Sequence, residues 1–295
     1  MELFERVAIV GTGLIGGSMG MAMRNRGLAG HVTGIGRRQV SIDKAMDVGA
    51  CDKVTLDLEQ GVSEADLVVV ATPIRAFEHL MPRIAPAMKD GATVSDVASS
   101  KCSVIETFRD ALAGRDAVHY VPTHPMAGSE ETGPAAAVED LFEGAVCIFT
   151  PTEDAGEDET AAVGRLWQEL GACITIMTPR EHDKLVSKIS HVPHLAAAAL
   201  VADADRESLL YSGGGFIDTT RVASSDTDLW CDIYKSNRQE VCAGLDDYIS
   251  MLERMKELVE SGQWTQLKKL LDLAREKRDE LLRERADFQR NRENC

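Results

Sequence analysis

No stretch of this 295-residue chain approaches the ~18 consecutive apolar residues that a membrane-spanning helix needs, so no membrane partner is expected. Basic residues are scarce: 32 Lys and Arg stand against 48 Asp and Glu, a net charge of −16 at pH 7. Such a surface repels nucleic acid and anionic membranes alike, and nucleic acid is excluded as a partner on the same ground. Cysteine is sparse and poorly placed for pairing. The seven (Cys51, Cys102, Cys147, Cys173, Cys231, Cys242 and Cys295) are scattered, odd in number and include no Cys-x-x-Cys. That argues against a disulfide framework and against a zinc site, and no metal is expected. The first residues, MELFERVAIVGTG, carry no basic leader, long apolar run or small-residue cleavage site, so the expected location is cytoplasmic.

What is present has the balance of an ordinary globular protein, 44% hydrophobic and 27% charged, long enough to bury a core without staples. Short β-rich runs at 6–10, 31–35, 66–71, 92–95, 117–121, 146–150 and 173–177 alternate with helical patterns. Several are continuously apolar, as strands covered on both faces should be. The alternation predicts a mostly parallel sheet with helical crossovers. From Pro179 only helical patterns remain, at 179–204, 226–255 with breaks, and 264–291. The expected fold is an α/β Rossmann-type dinucleotide-binding domain over residues 1–178, followed by an all-α domain over 179–295. In the last helix Leu267, Leu270, Leu271, Ala274, Leu281, Leu282 and Phe288 form an apolar stripe, suited to packing on its own domain or on a second copy of the chain.

The strand at 6–10 runs into Gly11-Thr12-Gly13-Leu14-Ile15-Gly16 and then into a helical pattern. Gly11 permits the tight turn, Gly13 lets the backbone approach a pyrophosphate, and Gly16 lets helix and strand pack closely. The free N–H groups of the helix start then face the phosphates. Alone the glycines say little; their place between strand and helix makes this the expected dinucleotide site. An NAD site usually ends its second strand in Asp or Glu, which binds the ribose 2′-hydroxyl. Here Gly36, Arg37 and Arg38 stand instead. Two guanidiniums without a carboxylate suit a 2′-phosphate, so NADP is the expected cofactor with NAD still admitted; an ordinary exposed Arg pair is the alternative.

Three later segments concentrate polar chemistry. DVASSK (96–101) follows an expected strand, where the ligand crevice of an open α/β sheet lies. THPMAGSE (123–130) follows the next one, and SHVPH (190–194) falls in the first long helix of the second half. With VAIVGTGLIGGS, EHDKLVSKISHVPH and GGGFIDTTRVASSDTDLW, in this order over nearly the whole chain, they resemble the prephenate/arogenate (cyclohexadienyl) dehydrogenases of tyrosine biosynthesis.

The resemblance implies an oxidative decarboxylation. Hydride leaves ring C4 of a cyclohexadienol for a nicotinamide, the C4 hydroxyl proton leaves to a base, and loss of CO2 makes the ring aromatic. Histidine suits such a base because its pKa lies near neutrality. By the resemblance, His124 is the catalytic histidine and Ser99 the serine that orients it, which can also cap the next helix. Lys101 is a basic residue of the same loop, with a purely structural ion pair equally open. His194 lines the substrate pocket, and His191 supports it. Arg221 clamps a substrate carboxylate or pairs with a nearby aspartate. Trp230 is an aromatic residue near the pocket or a core residue, and Thr72-Pro73 is the turn that touches the cofactor. Asp183 bears on substrate choice: a carboxylate there would pair with the ammonium of arogenate, which leans the reading toward arogenate with dual use open. The resemblance also implies a homodimer formed through the second domain. The alternatives are another two-domain NADP oxidoreductase, of the β-hydroxyacid dehydrogenase or imine reductase kind, and a non-catalytic NADP-sensing binding protein.

Overall fold

The β-rich runs become one sheet of eight strands: β1 (Phe4–Val10), β2 (Ala29–Ile35), β3 (Lys53–Thr55), β4 (Leu67–Val70), β5 (Thr93–Asp96), β6 (His119–Pro125), β7 (Val146–Phe149) and β8 (Cys173–Ile176). Their order is β3-β2-β1-β4-β5-β6-β7-β8, and every pair is parallel except β6 with β7. This computed structural model describes residues 2–290 apart from 129, 130, 132, 153 and 154, with side chains through 284. β4, with the sequence LVVV, is buried along its whole length because helices cover both faces of the sheet. These are α1 (Leu14–Asn25), α2 (Gln39–Asp47), α3 (Leu58–Val62), α4 (Phe77–Ala87), α5 (Cys102–Leu112) and α6 (Glu157–Glu169). One apolar layer gathers around Ile9, Met19, Val69, Phe142 and Trp167, the other around Val10, Val68, Phe77, Met81 and Phe108. Each fully buried large side chain contributes about 1.5–3 kcal/mol. The first six strands have the order of a dinucleotide-binding sheet, which places its crevice where β1 and β4 diverge, beyond their C-terminal ends.

Two elements of the sheet differ from the sequence expectation. β3 was not expected: three residues, Lys-Val-Thr, are too short for an alternation to register. β6 runs four residues further than the apolar run, taking Thr123 and His124 into the strand. Pro122 and Pro125 read as stops because proline donates nothing to a ladder. The Pro122 carbonyl nevertheless accepts from the Thr150 N–H at 3.2 Å, and the strand continues.

From Pro179 the chain is helical: α7 (Pro179–Val186), α8 (Val192–Asp203), α9 (Arg206–Leu210), α10 (Gly214–Thr220), α11 (Thr227–Ser236), α12 (Arg238–Glu260) and α13 (Trp264–Arg290). A capping box between Thr178 and Glu181, with Pro179 in the first turn, starts α7. α7 and α8 are one helix joined by a π turn at Ser187–His191. Pro193 has no N–H to give, and the wider turn just before it is where the helix absorbs the missing bond. By length and composition this 25-residue helix, Pro179–Asp203, would suffice to cross a bilayer, although charged residues break its apolar run. Here its polar face is folded inward, with His182, Asp183, Ser187 and His191 buried. Its other face exposes Leu185, Ile189 and Leu200. The stripe on α13 is likewise open: Leu267 and Leu270 are half-buried, Leu271, Leu281 and Leu282 are exposed, and the side chain of Phe288 lies outside the described residues.

Candidate active site

The crevice begins where β1 ends. Gly11 turns the backbone in the left-handed region (φ +99°), and a Cβ there would lie 2.6 Å from the Ala71 carbonyl oxygen. A Cβ at Gly16 would collide with the Gly11 carbonyl, so α1 and β1 approach only because that atom is missing. Gly13 has nothing within 4 Å of its Cβ position, and no side chain caps the helix start that follows it. Thr12 is buried, Leu14 and Ile15 are half-buried, and across the crevice the Thr72 hydroxyl is buried without a hydrogen-bond partner among the described residues. Pro73 beside it is exposed. An uncapped helix start, an open face at Gly13 and an orphaned hydroxyl fit the phosphates and ribose of a dinucleotide. At the end of β2 a Cβ on Gly36 would lie 2.6 Å from Ile42 Cγ2, which disfavours any side chain there. Arg37 and Arg38 are exposed.

The next loop hangs from Asp96, the last residue of β5. Asp96 and Lys101 are both fully buried, and Lys101 Nζ lies 2.5 Å from Asp96 Oδ1. That oxygen also accepts from the Ala98 N–H at 2.8 Å, while the Tyr120 hydroxyl donates to Oδ2 at 2.7 Å. Burial pushes the pKa of Lys101 down, against the pull of Asp96. Of the two placements open to Lys101, the structure shows the internal ion pair. Ser99 sits half-buried on this loop, and Ser100 donates to the Ser236 hydroxyl of α11 at 2.8 Å.

Asp183 is placed differently from the expected substrate contact. Its carboxylate accepts the backbone N–H of Lys101 at 2.7 Å and of Cys102 at 2.9 Å, capping α5 from the helical half of the chain. It also meets His182 Nδ1 at 2.8 Å. A carboxylate 1% exposed with three partners has no place for a substrate ammonium, so the sequence expectation is corrected: Asp183 ties the two halves together.

His124 stands at the C-terminal end of β6, half-buried, with Nδ1 2.8 Å from His182 Nε2. Burial pushes its pKa well below the ordinary imidazole value, and the charge of Lys101 acts in the same direction. Burial likewise lowers His182 and His194, and takes His191 down to about 4. All four imidazoles are therefore neutral at pH 7.

On the helical side, the ring of His194 stacks on Trp230, with centroids 3.7 Å apart and an interplanar angle of 17°. The Tyr234 hydroxyl lies 2.5 Å from His194 Nδ1, and His194 Nε2 is buried with no hydrogen-bond partner among the described residues. A cavity of about 780 Å³ is lined by Gly128, Phe216, Thr220, Arg221, Val222 and Ser225. Ser129 and Glu130 of THPMAGSE lie outside the described residues. Arg75, close after the Thr72-Pro73 turn, reaches Asp232 of α11 at 3.4 Å, a second tie between the halves. Among the described residues no group of three or more His, Cys, Asp or Glu could hold a metal ion. Sequence reasoning missed His182, Tyr234, Asn237 and Asp96. Two of them carried a signal: His182 stands beside Asp183 in the EHD segment, and Asp96 opens DVASSK.

Residues 19–176 match the family described as prephenate dehydrogenase, nucleotide-binding domain, and residues 178–273 match prephenate dehydrogenase, dimerization domain. The chain is 34% identical over 268 residues to a cyclohexadienyl dehydrogenase of Zymomonas mobilis, spanning 88% of this chain and 90% of that one. The crystal structure of prephenate dehydrogenase from Aquifex aeolicus, in complex with hydroxyphenyl propionate and NAD+, is similar with a TM-score of 0.87 at 31% identity, covering 94% of this chain and 98% of that one. Synechocystis arogenate dehydrogenase gives 0.80 at 30% identity over 94% and 99%. Both halves of the chain, the strand-borne histidine included, thus fall in one lineage: the chain belongs to the prephenate dehydrogenase family.

Proposed function

We propose that the chain catalyses the NADP-dependent oxidative decarboxylation of arogenate, prephenate or both, giving tyrosine or 4-hydroxyphenylpyruvate, with His124 as proton acceptor. The observation that carries this is His124 itself: an imidazole at the C-terminal end of β6, held at 2.8 Å from His182 and on the strand paired with β5, from which the Ser99 loop hangs. The nicotinamide, when bound, supplies the hydride acceptor. The turn from Gly11 to Gly16 holds the pyrophosphate, Arg37 and Arg38 meet the 2′-phosphate beside Gly36, and Thr72 and Pro73 border the nicotinamide end. His124 takes the proton of the C4 hydroxyl as hydride leaves C4, and Ser99 orients both. His194, through its unpartnered Nε2, and Arg221 receive the substrate carboxylates, with Trp230 fixing the His194 ring. With Asp183 engaged elsewhere, the lean toward arogenate loses its residue, and both substrates stay in the proposal.

The division of labour follows the two expected domains, cofactor on 1–178 and substrate on 179–295. The proposal includes a cytoplasmic homodimer. The family description of the second half and the exposed apolar side chains of α13 support a second copy as the cover.

Formation of the reduced cofactor, followed by absorbance with prephenate or arogenate and NAD or NADP in all four pairings, tests the reading. Turnover with at least one substrate and a preference for NADP is the expected result; cofactor binding without turnover in any pairing would mean a sensor, not an enzyme. Replacing Arg37 and Arg38 together with Ala should raise KM for NADP about 10-fold or more, the scale of one charge-assisted hydrogen bond, and leave KM for NAD unchanged. Equal effects on the two cofactors would remove the arginines from the 2′-phosphate site.

A further inference from the structure

We propose that His182, anchored by Asp183, is a positioning residue that sets the tautomer of His124 and steadies its protonated form. The inference rests on the reading of His124 as the base and adds what makes it one. Asp183 is fixed by the two backbone N–H groups at the start of α5. Burial pulls its pKa up, but the hydrogen bonds from His182, Cys102 and Lys101 outweigh that and keep it ionised. An ionised carboxylate only accepts, so His182 must carry its proton on Nδ1, 2.8 Å away. A neutral His182 then has a lone pair on Nε2. That nitrogen faces His124 Nδ1 at 2.8 Å, so His124 must donate from Nδ1. Neutral His124 is left with its lone pair on Nε2, the only ring nitrogen not engaged with His182. Each assignment follows from the one before it.

The balance of protons is simple. The hydroxyl proton moves to His124 Nε2, the Nδ1 proton stays where it is, and the new positive charge is shared toward Asp183 through one hydrogen bond to His182. No proton crosses to His182. Among the other groups facing the pair, Lys101 is matched by Asp96, and His191 is turned away: its Nδ1 lies 3.2 Å from the amide nitrogen of Asn237, which also donates to the Asp183 carbonyl at 2.8 Å. Capping α5 requires only the Asp183 carboxylate. A fully buried imidazole between that carboxylate and His124 is explained by the tautomer it imposes.

The test begins with the unaltered protein. With 15N-labelled histidine, long-range proton–nitrogen correlation at neutral pH should show protonated Nδ1 and bare Nε2 on both His124 and His182, the His124 signals being assigned by their loss in His124→Asn. A proton on His124 Nε2 overturns the proposal. In kinetics, His182→Phe should lower kcat on the order of 100-fold with KM changed no more than about twofold. It should also move the acid limb of kcat/KM to lower pH, because the imidazolium has lost the partner that steadied it. His182→Gln, which can place an amide oxygen near the lost Nε2, should recover most of the rate. Full activity in His182→Phe, or a lost rate with neither limb shift nor recovery by Gln, overturns the positioning role and leaves His124 as base. Turnover retained in His124→Asn removes the base instead, and the tautomer measurement, made without substrate, tells the two failures apart.

Discussion

His124→Asn is expected to lower kcat by about 10³-fold or more while leaving the Kd for NADP within about twofold of the unaltered protein. Asparagine is close in size to the proximal part of imidazole and keeps a polar group near His182, so β6 and its neighbours stay in place. What it cannot do is take a proton at neutral pH. The measurement pairs steady-state formation of reduced cofactor with a direct titration of cofactor binding. The unaltered enzyme should also show a kcat/KM that is level through neutrality and falls on the acid side, below the ordinary imidazole pKa of about 6.5. The sign follows from the environment: burial, and with it the charge of Lys101, disfavours protonated His124, so the base form persists to lower pH. Retained turnover in the Asn variant, or an acid limb above the ordinary value, would count against His124 as the base.

The largest effect on stability is expected from Lys101→Met. Removing one partner of a fully buried ion pair leaves Asp96 charged in an apolar setting, a loss of about 3–5 kcal/mol. The Tyr120 hydroxyl and the Ala98 N–H soften that loss without matching an ammonium. The denaturant midpoint and its slope measure it. Lys101→Met combined with Asp96→Asn should recover part of the stability, because the stranded charge is gone; equal loss in the single and double variants would show that the pair acts by packing alone. Residues 97–100 hang from Asp96, so kcat in Lys101→Met should fall as well, through the position of Ser99.

What the sequence makes legible in the fold depends on the distance between partners. The glycine turn was legible because all its parts are local: strand, turn and helix start lie within a few residues, and Gly11 and Gly16 are required by contacts with near neighbours. The parallel sheet was legible from its apolar runs, and the change to helices from the loss of those runs at Pro179. The end of β6 was not, because Pro122 and Pro125 read as stops while a carbonyl bond to Thr150, contributed by the chain after β7, keeps the strand going. α9 and α10 were missed as short helices beside three consecutive glycines. Asp183 was identified as a site residue but given the wrong neighbour, since its true partners lie about eighty residues away at Lys101 and Cys102. Tyr234, Asn237 and Asp96 gain meaning only from such meetings. Residue type predicts what a side chain can bond; it does not say which face it will occupy.

The π turn at Ser187–His191 sets a phase. It holds one residue more than an α turn, which offsets α7 from α8 by about 100° relative to an unbroken helix. His182 and Asp183 lie before the offset and His194 after it, yet all three are buried. Substitutions within the turn leave that offset in place, because it is a matter of counting and not of chemistry. A deletion of one residue there would let the helix run straight and swing one set of side chains away from the other. This segment therefore tolerates changes of residue far better than changes of length.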